Sequence, residues 1–222
     1  MKEETKGKLK HLNNGLEGSK RRLKSQKSTK KQKVTKKQEL VLNTPKQPNE
    51  SKSLELSEKN IVFKPNPGPQ TKFLAAGERE VLYGGAAGGG KSYAMLADPL
   101  RYMGHPQFSG LLLRHTTEEL RELIWKSQEM YPKIYPGIKW SERKMQWVAP
   151  NGARLWFSYL DRDEDVLRYQ GLAFSWVGFD ELTQWATPFS WNYMRSRLRS
   201  TASDLPVYAR ATTNPGGPGH AW

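Results

Sequence analysis

The stretch "GAAGGGKS", Gly85 to Ser92, fits G-x-x-x-x-G-K-[ST] without a mismatch. Residues of these types at this spacing bind phosphate. Successive backbone N–H groups can turn inward on an anion only through conformations that a Cβ would block, which accounts for Gly85, Gly88, Gly89 and Gly90, with the small Ala86 and Ala87 between them. Lys91 is then placed to reach the β and γ phosphates of a nucleoside triphosphate, and the Ser92 hydroxyl to ligate Mg²⁺. The pattern by itself also describes a glycine-rich turn beside a surface lysine, so a strand before it and a helix after it are needed to make it a site.

A second group lies in "FSWVGFDEL", Phe174 to Leu182, an apolar strand that ends in two acids. Asp180 at the end of a buried strand beside a phosphate loop would hold Mg²⁺ opposite Ser92, and the adjacent Glu181 would accept a proton from the water that attacks the γ phosphate. A third group follows the last apolar run, in "ARATTNPGG". Thr213 or Asn214 there could sense the γ phosphate, because ligands of open α/β sheets sit beyond the carboxyl ends of the strands. The same residues also read as a turn with a Pro-Gly exit.

These groups need a scaffold, and the chain supplies its pattern. Glu80 to Tyr83 reads as a strand running into the glycine loop, and Lys91 to Met103 as a helix with Met95, Leu96, Leu100 and Met103 on its apolar side. Leu111 to Arg114 reads as a buried strand, followed by a helix from Thr117 to Met130 with an N-cap threonine and acids in its first turn. Met145 to Ala149 and Arg154 to Tyr159 flank Asn151-Gly152, a hairpin turn signal. Ala173 to Phe179 gives another strand, Pro188 to Leu198 a helix and Val207 to Thr212 a last strand. The predicted class is α/β: a mostly parallel sheet with helices on both faces and one inserted antiparallel hairpin.

Charge divides the chain in two. The net charge is +14, and residues 1–60 hold 17 Lys/Arg against 7 Asp/Glu, leaving +4 for residues 61–222. The basic segment "KRRLKSQKSTKKQKVTKKQ" has too little apolar surface to offset its ordering entropy, so residues 1–60 are expected to be a disordered tail and residues 61–222 the folded domain. The tail could contact nucleic-acid phosphates, or serve only as a solvated leader. The chain has no cysteine, which excludes a disulfide scaffold and a Cys-based zinc site. No run approaches the ~20 apolar residues of a membrane helix, and the N-terminus is too polar for a signal-peptide core, so a soluble protein is expected.

Taken together, "NPGPQTKFL", "VLYGGAAGGGKS", "RYQGLAFSWVGFDELTQW" and "ATTNPGGPGHAW" resemble, in that order, the ATPase domain of the large terminase subunit of tailed bacteriophages, over roughly Pro65 to Trp222. The resemblance implies a P-loop NTPase of the additional-strand, catalytic-glutamate type, in which ATP hydrolysis with Mg²⁺ drives double-stranded DNA into a procapsid. By position, Lys91 and Ser92 match the Walker A residues, Asp180 the Walker B metal acid and Glu181 the catalytic glutamate. Thr212, Thr213 and Asn214 match the coupling motif, and Gln70 the glutamine that contacts adenine.

Such motors form a ring on the portal protein, work with a small terminase subunit in the host cytoplasm, and are absent from the mature virion. One subunit can supply an arginine to its neighbour's site. Arg168 is the first candidate and Arg114 the second, although either could be an ordinary surface or salt-bridged arginine. Family members normally continue into a nuclease domain, and the sequence ends at "GGPGHAW" without a later acid cluster, so a truncated chain is expected that lacks endonuclease activity. The alternatives are a helicase-like P-loop enzyme, a small-molecule kinase, or a non-catalytic nucleic-acid-binding protein that uses its tail. Asp180-Glu181 favours hydrolysis over kinase chemistry.

Overall fold

A computed structural model describes residues 61–222, and the expectations for residues 1–60 lie outside the described residues. The first element is a helix the sequence reading passes over, α1 (Pro69–Ala75). Gly68 caps it at φ 96°, and Pro69 stands at its start, where the missing N–H would have had no partner. Strand β1 (Glu80–Gly84) then enters the glycine loop, and α2 (Lys91–Ala97) leaves it. The helix expected to reach Met103 ends earlier and continues as a 3₁₀ turn over Asp98–Tyr102, because Pro99 has no N–H to give the α-helical ladder.

Strand β2 (Ser109–Arg114) leads to α3 (Thr117–Ile134), capped by a reciprocal pair of bonds between Thr116 and Glu119, each 3.3 Å long. A hairpin of β4 (Gln146–Val148) and β5 (Arg154–Tyr159) follows, with Gly152 at φ 94° in its turn, and it carries one strand more than expected, β3 (Lys139–Ser141). After a 3₁₀ segment over Asp163–Tyr169 come β6 (Trp176–Phe179), a 3₁₀ turn over Leu182–Gln184, α4 (Phe189–Arg195) and β7 (Tyr208–Thr213).

The seven strands form one sheet in the order β1-β7-β6-β2-β5-β4-β3. The first five are parallel, β4 pairs antiparallel with β5, and β3 pairs antiparallel with β4. Residues in β2 alternate between two cores. Leu112 joins one with α1, α2 and α3, while Leu111 and Leu113 join the other with α4 and the 3₁₀ segments. Gly178 in β6 lets α2 lie close to the sheet: a Cβ there would stand 2.8 Å from the Met95 sulfur and 2.3 Å from the Trp176 ring. The carboxyl ends of β1, β7, β6 and β2 consequently open on one side of the sheet, where ligands of such folds sit. No helix among the described residues is long and apolar enough to cross a membrane.

Candidate nucleotide site

The glycine loop joins β1 to α2 with Gly85, Gly88 and Gly90 at φ 142°, 82° and 72°, the left-handed half of backbone space that the sequence pattern demands. Lys91, 6 % exposed, folds back under the loop, and its ammonium donates to the carbonyls of Gly85 at 2.8 Å and Ala86 at 2.7 Å. Among the described residues no carboxylate lies within ion-pair distance of it. A buried ammonium compensated only by carbonyl dipoles suits an anionic ligand.

Opposite the loop, Asp180 follows β6 and is fully buried. Its Oδ2 lies 3.5 Å from Ser92 Oγ and 3.4 Å from Arg114 Nη1, while its Oδ1 accepts from the Thr212 hydroxyl. Strand β7 stands between the strand of the loop and the strand of the acid, so Thr212 is on hand to hold Asp180 from the side.

Glu181 has φ 61°, an uncommon conformation for a residue with a Cβ, and its N–H donates to Thr212 Oγ1 at 3.3 Å. Both of its carboxylate oxygens accept from Asn214, one from the backbone N–H at 2.9 Å and one from the side-chain amide at 2.7 Å. Each oxygen keeps a second lone pair for a water.

Among the described residues no group of three or more His, Cys, Asp or Glu converges as a cation site. Ser92 and Asp180 offer two hard oxygen donors, which fits Mg²⁺ completed by phosphates and water rather than caged by protein.

The remaining candidates fall in different places. Thr213 shares a 2.6 Å hydroxyl contact with Thr183, beside Asn214. Gln70 is 3 % exposed and faces the loop itself: its amide donates to the Gly90 carbonyl at 2.8 Å and accepts from the Asn66 N–H at 2.6 Å. Arg168 is exposed and donates to the Tyr159 carbonyl, with its guanidinium over the rings of Tyr159 and Tyr169 at 5.6 and 5.5 Å.

Arg114, the second candidate for an arginine given to a neighbouring subunit, is 8 % exposed and lies 3.4 Å from Asp180 of its own chain. The signal was present in "GLLLR": an arginine closing an otherwise apolar buried strand is there for something at that strand's end. The sequence reading places Glu119 only among the first-turn acids of its helix and gives Gln184 no role. Gln184 donates to Glu119 at 2.9 Å. Burial pushes the Glu119 carboxyl up, but the bonds from Gln184 and Thr116 and the charge of Arg114 outweigh it and hold the carboxyl below the usual range.

No curated protein matches the sequence. Among solved structures, the large terminase of a thermophilic bacteriophage matches with a TM-score of 0.56 and 18 % identity, over 71 % of this chain and 41 % of that one. The large terminase ATPase domain of Thermus phage P74-26 matches with a TM-score of 0.54 and 16 % identity, over 72 % of this chain and 68 % of that one. A further form of the thermophilic phage protein, in complex with ATP-gamma-S, matches with a TM-score of 0.51 and 17 % identity, over 68 % of this chain and 38 % of that one. The chain thus spans about two fifths of the first of these proteins. These likenesses place the fold with terminase ATPase domains, and the sequence itself matches the family model for the N-terminal part of T4likevirus-type terminase large subunits over residues 82–221, so the chain belongs to that family.

Proposed function

We propose that residues 61–222 bind and hydrolyse ATP with Mg²⁺ and act as the motor domain of a terminase large subunit, driving double-stranded DNA into procapsids. One observation carries this reading: the glycine loop and the acid pair meet across an intervening strand, with Ser92 Oγ 3.5 Å from Asp180 Oδ2 and Glu181 next in the chain. In the family's setting the partners are DNA, the portal protein, a small terminase subunit and further copies of the chain in a ring. The place of action is the host cytoplasm, transiently at the procapsid portal.

The geometry supports the following roles. Lys91 exchanges the carbonyls of Gly85 and Ala86 for the β and γ phosphates, and the loop's N–H groups and the start of α2 cradle them. Ser92 and Asp180 would hold Mg²⁺, which supplies charge neutralisation on the phosphate oxygens. Glu181, oriented by Asn214 and Thr212, takes a proton from the attacking water. Thr213 and Asn214 sense the γ phosphate, a role supported by the bonds from Asn214 to Glu181. Arg168, exposed on the 3₁₀ segment over Asp163–Tyr169, is the arginine assigned to a neighbour's site, where such a group can raise turnover by ~10³ to 10⁵ in related phosphoryl-transfer enzymes.

The test is Mg²⁺-dependent phosphate release by the purified chain across a range of protein concentrations. Glu181→Gln is expected to bind ATP within about 3-fold of the parent and to lose hydrolysis by roughly 10² or more, whereas Lys91→Ala loses binding and hydrolysis together. The rate per subunit should rise with concentration, and this rise should vanish in Arg168→Ala. Undiminished hydrolysis by Glu181→Gln would remove the assigned base.

A further inference from the structure

We propose that Arg114 is a phosphate ligand of its own chain's site, a second cation beside Lys91 that binds the terminal phosphate of the nucleotide from the carboxyl end of β2. The inference rests on the ATP reading above. It differs from the neighbour-directed role for which the family resemblance makes this residue the second candidate.

The first observation is position. Arg114 Nη1 and Ser92 Oγ flank the same oxygen of Asp180, at 3.4 and 3.5 Å, so the guanidinium lies where the hydroxyl and the acid converge. A ligand that touches Ser92 through a shared cation brings its outermost phosphate to that point.

The second observation is incomplete pairing. Arg114 Nε and Nη1 are buried and make no hydrogen bond. Buried donors without partners are rare in folded proteins, and a charged one is the costliest to leave so. Asp180 does not meet the need: it approaches at 3.4 Å without hydrogen-bond geometry, and its other oxygen is taken by Thr212. Glu119 does not meet it either: its oxygens accept from Gln184 and from Thr116, and no hydrogen bond joins it to the buried donors of Arg114. A cation held by Asp180 would draw that carboxylate's charge further from the guanidinium. The anion still missing is one with several acceptor oxygens, and the planar fork of arginine fits a phosphate with two parallel bonds.

The third observation is enclosure. At 8 % exposure Arg114 is shut inside its own domain, whereas Arg168 is exposed. The two arginines therefore divide the work, one acting within the subunit and one between subunits.

The experiment is equilibrium binding of ATP-gamma-S and of ADP, each with Mg²⁺, to the full 222-residue chain. Arg114→Ala should weaken ATP-gamma-S by about 10-fold or more and ADP by less than about 3-fold, because only the former carries the phosphate that two charge-assisted bonds would grip. Arg114→Lys keeps the charge and loses the fork, so its ATP-gamma-S affinity should fall between those of the parent and the alanine variant. The lysine variant also carries the test if the alanine variant does not fold. Equal weakening of both nucleotides, or no weakening, would reduce Arg114 to a counter-ion of Asp180 and overturn the inference while leaving the ATP reading intact. A parent chain that binds neither nucleotide would overturn both.

Discussion

Gln70 spends both ends of its amide on the protein, donating to the Gly90 carbonyl and accepting from the Asn66 N–H. Those two bonds tie α1 to the phosphate loop whichever base the nucleotide carries. A base-independent effect is therefore expected: Gln70→Ala should weaken ATP and GTP by the same factor, roughly 3- to 10-fold, as the loop loses about one buried hydrogen bond of support. Loss of ATP affinity with GTP unchanged would show an adenine contact instead. The contrast with Lys91 and Ser92 explains what the sequence could reveal. Their placement follows from a local loop whose glycines are required at φ 142°, 82° and 72°, so spacing alone locates them. Asp180 and Glu181 are similarly fixed by the end of an apolar run. One partner of Gln70, Gly90, and the partner of Arg114, Asp180, come from 20 and 66 residues away in the chain, and no local pattern encodes such meetings.

Strand β7 links the two halves of the site. Its far end holds Asp180 and Glu181 through Thr212 and Asn214, and its middle is anchored by Arg210, which is 2 % exposed and donates to the carbonyls of Glu78 at 2.9 Å and Ala76 at 2.8 Å. The guanidinium also lies 4.5 Å from the Tyr208 ring centroid and 3.7 Å from Asp98. Burial pushes the Asp98 carboxyl up, even against the opposing charges of Arg101 and Arg210.

Arg210→Met should therefore cost about 3–5 kcal/mol at neutral pH, because it leaves a buried acid and two carbonyls short of partners. In a domain of this size that is a fall on the order of 10 °C in Tm. The sign with pH follows from the raised acid, whose protonated form the fold favours and whose contribution is lost as pH rises through its folded value. The loss in Arg210→Met should consequently be smaller in acid than at neutral pH, as urea denaturation at the two conditions would read. A pH-independent loss would mean that the carbonyl bonds, not Asp98, dominate. None of this pairing was legible beforehand, since Asp98 and Arg210 lie 112 residues apart in the chain. The parallel strands were legible, as period and turn residues set them. The three residues of β3 were too few to show a period, and the start of α1 hid behind Gly-Pro punctuation that reads equally as a loop.

Charge and chemistry are segregated along the chain. Every candidate nucleotide residue lies between Gln70 and Asn214, yet residues 1–60 hold 17 Lys/Arg against 7 Asp/Glu, most of the net +14. If the domain is a DNA motor, sequence-blind attraction to DNA phosphates should come mainly from the N-terminal segment and the hydrolytic work from the rest. Binding of the chain to double-stranded DNA, followed by fluorescence anisotropy as salt is raised from 50 to 200 mM, separates the two, because each phosphate contact contributes about −0.9 to the slope of log K against log salt. Replacing the lysines and arginines of Lys20 to Lys37 with glutamine should flatten that slope by several units and leave the ATP affinity of the site within about 2-fold, since the basic run and the glycine loop are far apart in sequence and the loop draws its charge from Lys91 and Arg114. An unchanged slope would locate DNA contact on residues 61–222, whose net +4 would then have to be concentrated on one face.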